Sequence, residues 1–333
     1  MQTKRYFFEN EGPARSRCRP AEPTAPAPGR IARLGVLTTP HKAGFVALAG
    51  RPNVGKSTLL NSLLKFKLSI VSHKPQTTRH RILGILEGEQ FQACFLDTPG
   101  LIDEPADQLQ KSLRVESARA IREDADLIVY MVDAVEADPR KVGDTHVRPG
   151  TPVVLVINKC DRDVPETKLA AIEAAYAAAL KADKVFRISA LKGQGVEELK
   201  AEIIARLPES EPFYEKGQLS DRWERFFASE IVREQVFDLY HDEIPHAVAV
   251  VVETFRENQG KPDDVFATLY VERDGQKGII IGKAGKDLHR LTERAQAMLE
   301  AFLGRTVTLE LWVKVRKDWR KDPRSLKEFG YST

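Results

Sequence analysis

The run Gly50-Arg51-Pro52-Asn53-Val54-Gly55-Lys56-Ser57 constrains this chain more than any other feature. It follows the apolar segment Ala47-Leu48-Ala49 and opens the helix-patterned segment Lys56–Leu64, with Thr58 behind Ser57. Strand, glycine turn and helix therefore arrive in the order that makes G-x-x-x-x-G-K-[ST] a phosphate-binding loop. The glycines let backbone N–H groups turn inward as a nest for phosphate oxygens, and the helix N-terminus adds partial positive charge. Lys56 is expected to reach the β- and γ-phosphates and the Ser57 hydroxyl to hold Mg²⁺. The plainer reading is a tight glycine turn capping a helix.

The residues around the loop read as an alternating strand and helix pattern. Gly44–Ala49, Arg81–Leu86, Phe91–Leu96, Leu127–Val132, Val153–Ile157 and Val185–Ile188 are predicted strands. Lys56–Leu64, Gln108–Arg122, Glu166–Leu180 and Val196–Leu207 are predicted helices, with apolar residues at i, i+3 and i+4. That order implies an α/β domain, a mostly parallel sheet with helices on both faces. Pro208 and Pro212 bracket a break read as a linker. A second pattern follows: helix Trp223–Tyr240, strands Ala247–Phe255 and Phe266–Val271, helix Lys286–Phe302, strand Thr306–Val315. The expected boundaries are 43–210 for the first domain, 211–222 for the linker, 223–320 for an α+β domain and 321–333 for a tail.

Residues 1–42 carry six of the nineteen prolines and a net charge of +5, and are expected to be a disordered extension. They lack the apolar core of a secretory signal, and Glu9, Glu11 and Glu22 weaken an organelle transit reading. Residues 273–324 carry +6, which leaves −8 for residues 43–272 within the total of +3. A basic part on a mildly acidic body points to a polyanionic partner, or simply to a solvated face. The longest run of Val, Leu and Ile is Val153–Ile157, five residues, far short of the roughly 20 that span a bilayer. Three cysteines (Cys18, Cys94, Cys160), without metal-ligand spacing, fit a reducing compartment, here the cytoplasm.

Three further segments lie where a guanine-nucleotide site needs them. Asp97-Thr98-Pro99-Gly100 ends an apolar strand, so Asp97 can hold the Mg²⁺ shell through water while the Gly100 N–H faces the γ-phosphate. Asn158-Lys159-Cys160-Asp161 ends a later strand. The Asp161 carboxylate can accept from guanine N1–H and N2–H₂, a donor pair adenine lacks, and Lys159 can lay its stem on the base. Ser189-Ala190-Leu191 follows the last strand of the first domain, where the Ala190 N–H could reach guanine O6.

With these motifs, with Pro75–Arg81 (PQTTRHR) and with Glu310–Val315 (ELWVKV), the chain from Gly44 onward resembles the Era family, bacterial GTPases with a C-terminal type II KH domain. The resemblance implies a GTP-hydrolysing switch using GTP/GDP and Mg²⁺. It also implies binding of the 3′ end of 16S rRNA and a role in 30S ribosomal subunit assembly and rRNA maturation. Peripheral association with the inner membrane stays open. The resemblance makes Gln76–His80 the first switch, in which Thr78, or else Thr77, holds Mg²⁺. Two features depart from the family: the 42-residue extension, and Val135–Pro149, where Pro139, Gly143 and Pro149 break an expected helix.

Many small GTPases orient water with a Gln where this chain has Leu101, so positioning and charge must come from Lys56, Thr78 and Gly100. Asn53 either ligates K⁺ beside the phosphates or satisfies the P-loop backbone. In the second domain, Gly282-Lys283-Ala284-Gly285 is a G-x-x-G loop of the kind that lets an RNA backbone pass close to the protein, flanked by Lys277 and Lys286. Trp312, on a strand, is expected in the core, whereas Trp319 could stack a base or pack. A competing reading is an RNA-binding chaperone in which GTP is structural. A small-molecule P-loop kinase is argued against by Asn158–Asp161.

Overall fold

The computed structural model describes residues 40–331, apart from 75, 76, 103, 141, 143–146, 148 and 149. The expected disorder of the N-terminal extension falls almost wholly outside the described residues, as does part of Val135–Pro149; the described residues of the latter form turns and irregular loop, with no helix among them.

The first sheet is built from β1 (Lys42–Gly50), β2 (Ile82–Glu87), β3 (Phe91–Asp97), β4 (Leu127–Asp133), β5 (Val153–Asn158) and β6 (Lys184–Arg187), in the order β2-β3-β1-β4-β5-β6. Only β2 runs antiparallel to its neighbour. Its helices are α1 (Lys56–Leu64), α2 (Gln108–Arg119), α3 (Glu166–Leu180) and α4 (Val196–Arg206); one π-turn, Ala120–Asp124, continues α2. Every residue of β4 and β5 is buried because both faces are covered. On one face Val46, Leu48, Val129 and Val156 meet Leu59 and Leu63 of α1 and Leu199 and Ile203 of α4. On the other, Ile128, Leu155 and Ile157 meet Ile172 and Tyr176 of α3. Each such side chain contributes about 1.5–3 kcal/mol of burial. Register sets Leu48 opposite Asp97 and Asp133 opposite Asn158, so β1, β3, β4 and β5 end nearly level along one rim.

The second unit comprises α5 (Glu224–Leu239), α6 (Ile244–Ala247), β7 (Ala249–Arg256), β8 (Asp263–Val271), α7 (Asp274–Ile281), α8 (Lys286–Leu303), β9 (Val307–Val315) and α9 (Pro323–Glu328). Strand β8 pairs antiparallel with β7 and parallel with β9. Leu291, Ala295, Leu299 and Leu303 give α8 a buried stripe at i, i+4 spacing over the sheet.

Several sequence expectations need correction. Helix α7 was not expected: Gly275, Gly278 and three consecutive isoleucines disguise it. It forms because Gln276 caps its own start, accepting from Glu272 and Arg273 N–H at 3.0 and 3.1 Å, and because Ile280 is wholly buried. The predicted strand from Ala247 begins two residues later, after α6. Trp312 is 53% exposed, and Trp319 is the residue in the core, at 0%. The alternation of β9 turns Val307, Leu309, Leu311 and Val313 inward and Thr308, Glu310, Trp312 and Lys314 outward.

The segment after Pro208 is strapped to the first sheet. Gln92 accepts from Phe213 and Tyr214 N–H and donates to the Tyr214 carbonyl, and Ser220 Oγ donates to Leu83 O at 2.6 Å. The C-terminal residues Trp319, Leu326 and Tyr331 pack with Leu109 and Leu113 of α2 and Ala249 of β7, joining the two units.

Candidate functional site

The rim where the parallel strands end opens into a cleft of about 460 Å³. Such strand ends are where open α/β sheets bind ligands. The loop after β1 starts at Gly50 and caps α1 with Gly55 at φ +103°. A Cβ on Gly50 would lie 2.3 Å from Met131 O, and one on Gly55 would lie 2.2 Å from the Asn158 side-chain nitrogen. No other residue fits either place without displacing the loop.

Asn158 binds the site together. Its Nδ2 donates to Val54 O at 2.8 Å, and its Oδ1 accepts from Ala190 N at 2.9 Å. One buried amide therefore ties the P-loop to the Ser189–Leu191 loop. Asp161 faces the same cleft, and a hydrogen bond from Ser189 holds its carboxyl below the usual range. Lys159 adopts φ +68°, and its Nζ lies 2.5 Å from Asp133. Leu191 is 79% exposed at the mouth.

At the phosphate end, Lys56 Nζ donates to Gly50 O and Arg51 O, both at 3.0 Å. Burial lowers its pKa to about 8, against the opposing pull of Asp97. Ser57 Oγ lies 2.9 Å from Thr78 Oγ1 and donates to Asp97 Oδ2 at 2.7 Å. Burial pushes the Asp97 carboxyl up, and its Oδ1 has no hydrogen-bond partner among the described residues. Two hydroxyls and a carboxylate with an unsatisfied buried oxygen are the hard oxygen donors that Mg²⁺ takes. The other candidate hydroxyl, Thr77 Oγ1, is turned away and donates to Lys74 O at 2.7 Å.

Thr98 donates to Leu48 O at 3.1 Å. Pro99 O accepts from Ser117 at 2.7 Å, which ties the loop after β3 to α2. A Cβ on Gly100 would lie 2.5 Å from Pro52 N, so this loop sits directly on the P-loop. Leu101 is buried and its N–H donates to Gly50 O at 3.0 Å, so neither its side chain nor its N–H can orient water. Asn53 Nδ2 donates to His73 O at 2.9 Å, so its amide ties the P-loop to the segment leading into the first switch rather than to the P-loop backbone.

Three residues absent from the sequence reading, and Arg79, which it carried only as part of the switch motif, support this arrangement. Asn61 of α1 grips the chain entering the switch, accepting from Leu68 and Ser69 N–H and donating to Ser69 O, all at 2.8–2.9 Å. Asp133 holds Lys159. The cations flanking the switch threonines reach into the second unit. Lys74 donates to Phe237 O and Tyr240 O at the end of α5, and buried Arg79 donates to Val248, Pro245 and His246 carbonyls at 2.7, 3.1 and 3.0 Å. Arg79 is two residues past Thr77, but nothing local in sequence announces its partners some 170 positions away.

The glycine loop of the second unit lies apart, between α7 and α8. Gly282, at φ +69°, could not carry a Cβ, which would fall 1.9 Å from Asp287. Ala284 is left-handed at φ +53° and Gly285 follows at φ +78°. Lys283, Ala284 and Lys286 are exposed and Lys277 is half-buried one helix earlier.

Residues 45–159 match the family model described as a 50S ribosome-binding GTPase, and residues 243–320 match the KH domain. The chain is 42% identical over 297 residues to GTPase Era of Carboxydothermus hydrogenoformans, covering 88% of this chain and 98% of that one. GTPase Era of Lactobacillus helveticus is 43% identical over 295 residues, with 87% and 96% covered. Two solved structures, each 39% identical with a TM-score of 0.82, cover 88% of this chain and 100% of theirs. One is an Aquifex aeolicus Era variant bound to GDP·AlF₄⁻; the other is Era in complex with MgGDPNP and nucleotides 1506–1542 of 16S ribosomal RNA. A P-loop GTPase domain followed by a KH domain, with relatives that match 88% of the chain, places the chain in the Era family of GTPases.

Proposed function

We propose that this GTPase binds the 3′ end of 16S rRNA through Gly282–Gly285 in a nucleotide-dependent manner, and that it serves 30S subunit assembly and rRNA maturation. The observation that carries the reading is the pair of switch cations, Lys74 and Arg79, which anchor the segment holding Thr78 on carbonyls of the second unit. A change around the γ-phosphate must then be felt by the KH domain. The Era relative described with 16S rRNA nucleotides supports the choice of RNA.

In this reading the reaction is GTP + H₂O to GDP and phosphate, driven by positioning and charge without a covalent intermediate. Backbone N–H groups of Gly50–Thr58 cradle the phosphates. Lys56 exchanges its two loop carbonyls for β- and γ-phosphate oxygens. Ser57, Thr78 and, through water, Asp97 would hold Mg²⁺, which when bound neutralises charge on the β- and γ-oxygens. The Gly100 N–H faces the γ-phosphate. Asp161 accepts from guanine, Lys159 covers its face, and Ala190 N–H meets O6. A K⁺ at Asn53 belongs to the same proposal, supported by the position of its amide at the mouth of the P-loop; replacing K⁺ by Na⁺ in a hydrolysis assay tests it.

The test uses the full chain with a 16S rRNA 3′-end oligonucleotide, bound to GDP or to a non-hydrolysable GTP analogue. Changing Lys283 and Ala284 together to Asp places like charge against the RNA backbone. The variant should lose RNA binding and keep GTP hydrolysis without RNA. Asp suits the left-handed position 284 at least as well as Ala does, so the fold should survive. Wild-type RNA affinity in a folded double variant, or equal affinity in the two nucleotide states, would refute the reading.

A further inference from the structure

We propose that Asp133 is a positioning residue for guanine recognition, fixing Lys159 in the conformation that covers the base. The inference rests on the nucleotide reading of the cleft and goes beyond its known motifs.

The sheet register creates the pair. Asp133 ends β4 directly opposite Asn158, the last residue of β5, and Ala134 N–H donates to Asn158 O at 2.9 Å. Lys159 is therefore the first residue past the paired strands, one position beyond the carboxylate. Its backbone is equally constrained: φ is +68°, its carbonyl accepts from Arg162 N at 3.1 Å, and the next N–H donates to Ile188 O at 3.0 Å.

The two carboxylate oxygens divide the work. Oδ1 accepts from Val135 N at 2.8 Å and more weakly from Glu136 N at 3.3 Å, which fixes the Asp133 rotamer. Oδ2, buried and without a hydrogen-bond partner among the described residues, has the Lys159 ammonium 2.5 Å away as its ion-pair partner. The Asp133 side chain is 5% exposed and the Lys159 side chain 29%, so one partner is embedded in the strand rim while the other lies along the cleft wall. A lysine on a loop would otherwise sample many rotamers. Here a buried counter-charge selects one, with the ammonium at the rim and the side chain lining the cleft. An ion pair of this kind is poor evidence for stability, because desolvation offsets most of its attraction. It makes sense as pre-organisation, which lowers the cost of ordering on binding. Of the other charges near this end, Lys192 pairs with Asp161 at 3.7 Å, so Asp133 and Lys159 answer each other.

The experiment measures fluorescent GDP and GTP-analogue binding by the full chain, with steady-state hydrolysis alongside. Asp133→Asn keeps the volume and the acceptor for Val135 N and removes only the charge. It should weaken both nucleotides about tenfold, mostly through faster dissociation, and raise KM about tenfold with kcat within twofold. In a Lys159→Met background the same substitution should change affinity less than twofold. Asp133→Ser, which also can accept from Val135 N, should repeat the result. Binding by Asp133→Asn within twofold of wild type overturns the proposal. So does an equal loss in the Lys159→Met background, or unfolding of both Asp133 variants, which would make the residue structural. Failure of the wild type to prefer guanine over adenine nucleotides would instead overturn the reading of the cleft.

Discussion

Arg79 offers a sharp test of how the two units are joined. It is 2% exposed, and its guanidinium donates to three carbonyls at the end of α6 while lying 6.0 Å from the Trp319 ring centroid. Arg79→Met keeps the bulk and removes the donors. Charge-assisted bonds are worth about 2 kcal/mol each, so three total roughly 6 kcal/mol. Releasing the chain from burying a guanidinium recovers several kcal/mol, about half of that sum. A net loss of roughly 3 kcal/mol remains, on the order of a hundredfold in the folded-to-unfolded ratio. Arg79→Lys keeps the charge but lacks the planar fork that reaches three acceptors, and should lose nearly as much. Urea unfolding of the nucleotide-free chain, followed by tryptophan fluorescence, reads this out, because Trp319 sits against the substituted group. The same variants should bind RNA equally well with GDP and with a GTP analogue, since the switch has lost its grip on the second unit. A stability change under 0.5 kcal/mol, or an intact nucleotide dependence of RNA affinity, would refute this account.

Three other outcomes follow from the geometry. Asp161→Asn puts a donor where guanine also donates, and an unmade buried bond costs about 1–3 kcal/mol, so GTP affinity should fall and xanthosine triphosphate affinity rise in a competition assay. Lys56→Met should abolish hydrolysis and sharply weaken nucleotide binding, while the nucleotide-free protein melts no lower than wild type, because burial already makes that ammonium costly. Burial lowers the His80 pKa to about 4, so the imidazole is neutral in the folded chain and must be charged to follow the unfolded one. Its contribution is complete above pH 6.5 and drains as the pH falls toward 4, by an amount on the order of 2 kcal/mol after allowing for partial exposure. His80→Phe, which keeps the ring against Tyr331, should flatten stability across that window; an unchanged profile would show that another group titrates there.

The strand and helix order of the first domain and the helix starting at Lys56 were legible from sequence alone, because their signals are local. A glycine that must turn, a lysine at a helix start and an apolar run at period 2 or 3.6 each act within a few residues. The sequence also set Asp97 and Asn158 at the ends of readable strands, with Asp161 just beyond. What it did not determine depends on which surfaces meet. Trp312 faces out because β9 spends its inward positions on Val307, Leu309, Leu311 and Val313; Trp319 is buried because the C-terminal segment docks between α2 and β7. Helix α7 needed the sheet beneath Ile280 to overcome its glycines. Asp133 falls just past the predicted strand Leu127–Val132, and only parallel register sets it opposite Asn158, one residue short of Lys159. Lys74 carries no signal in the sequence, and Arg79 reads only as part of the switch motif. Only the packing of α5 and α6 against that segment supplies the carbonyls that desolvate them, and such long-range pairing leaves no trace in local sequence.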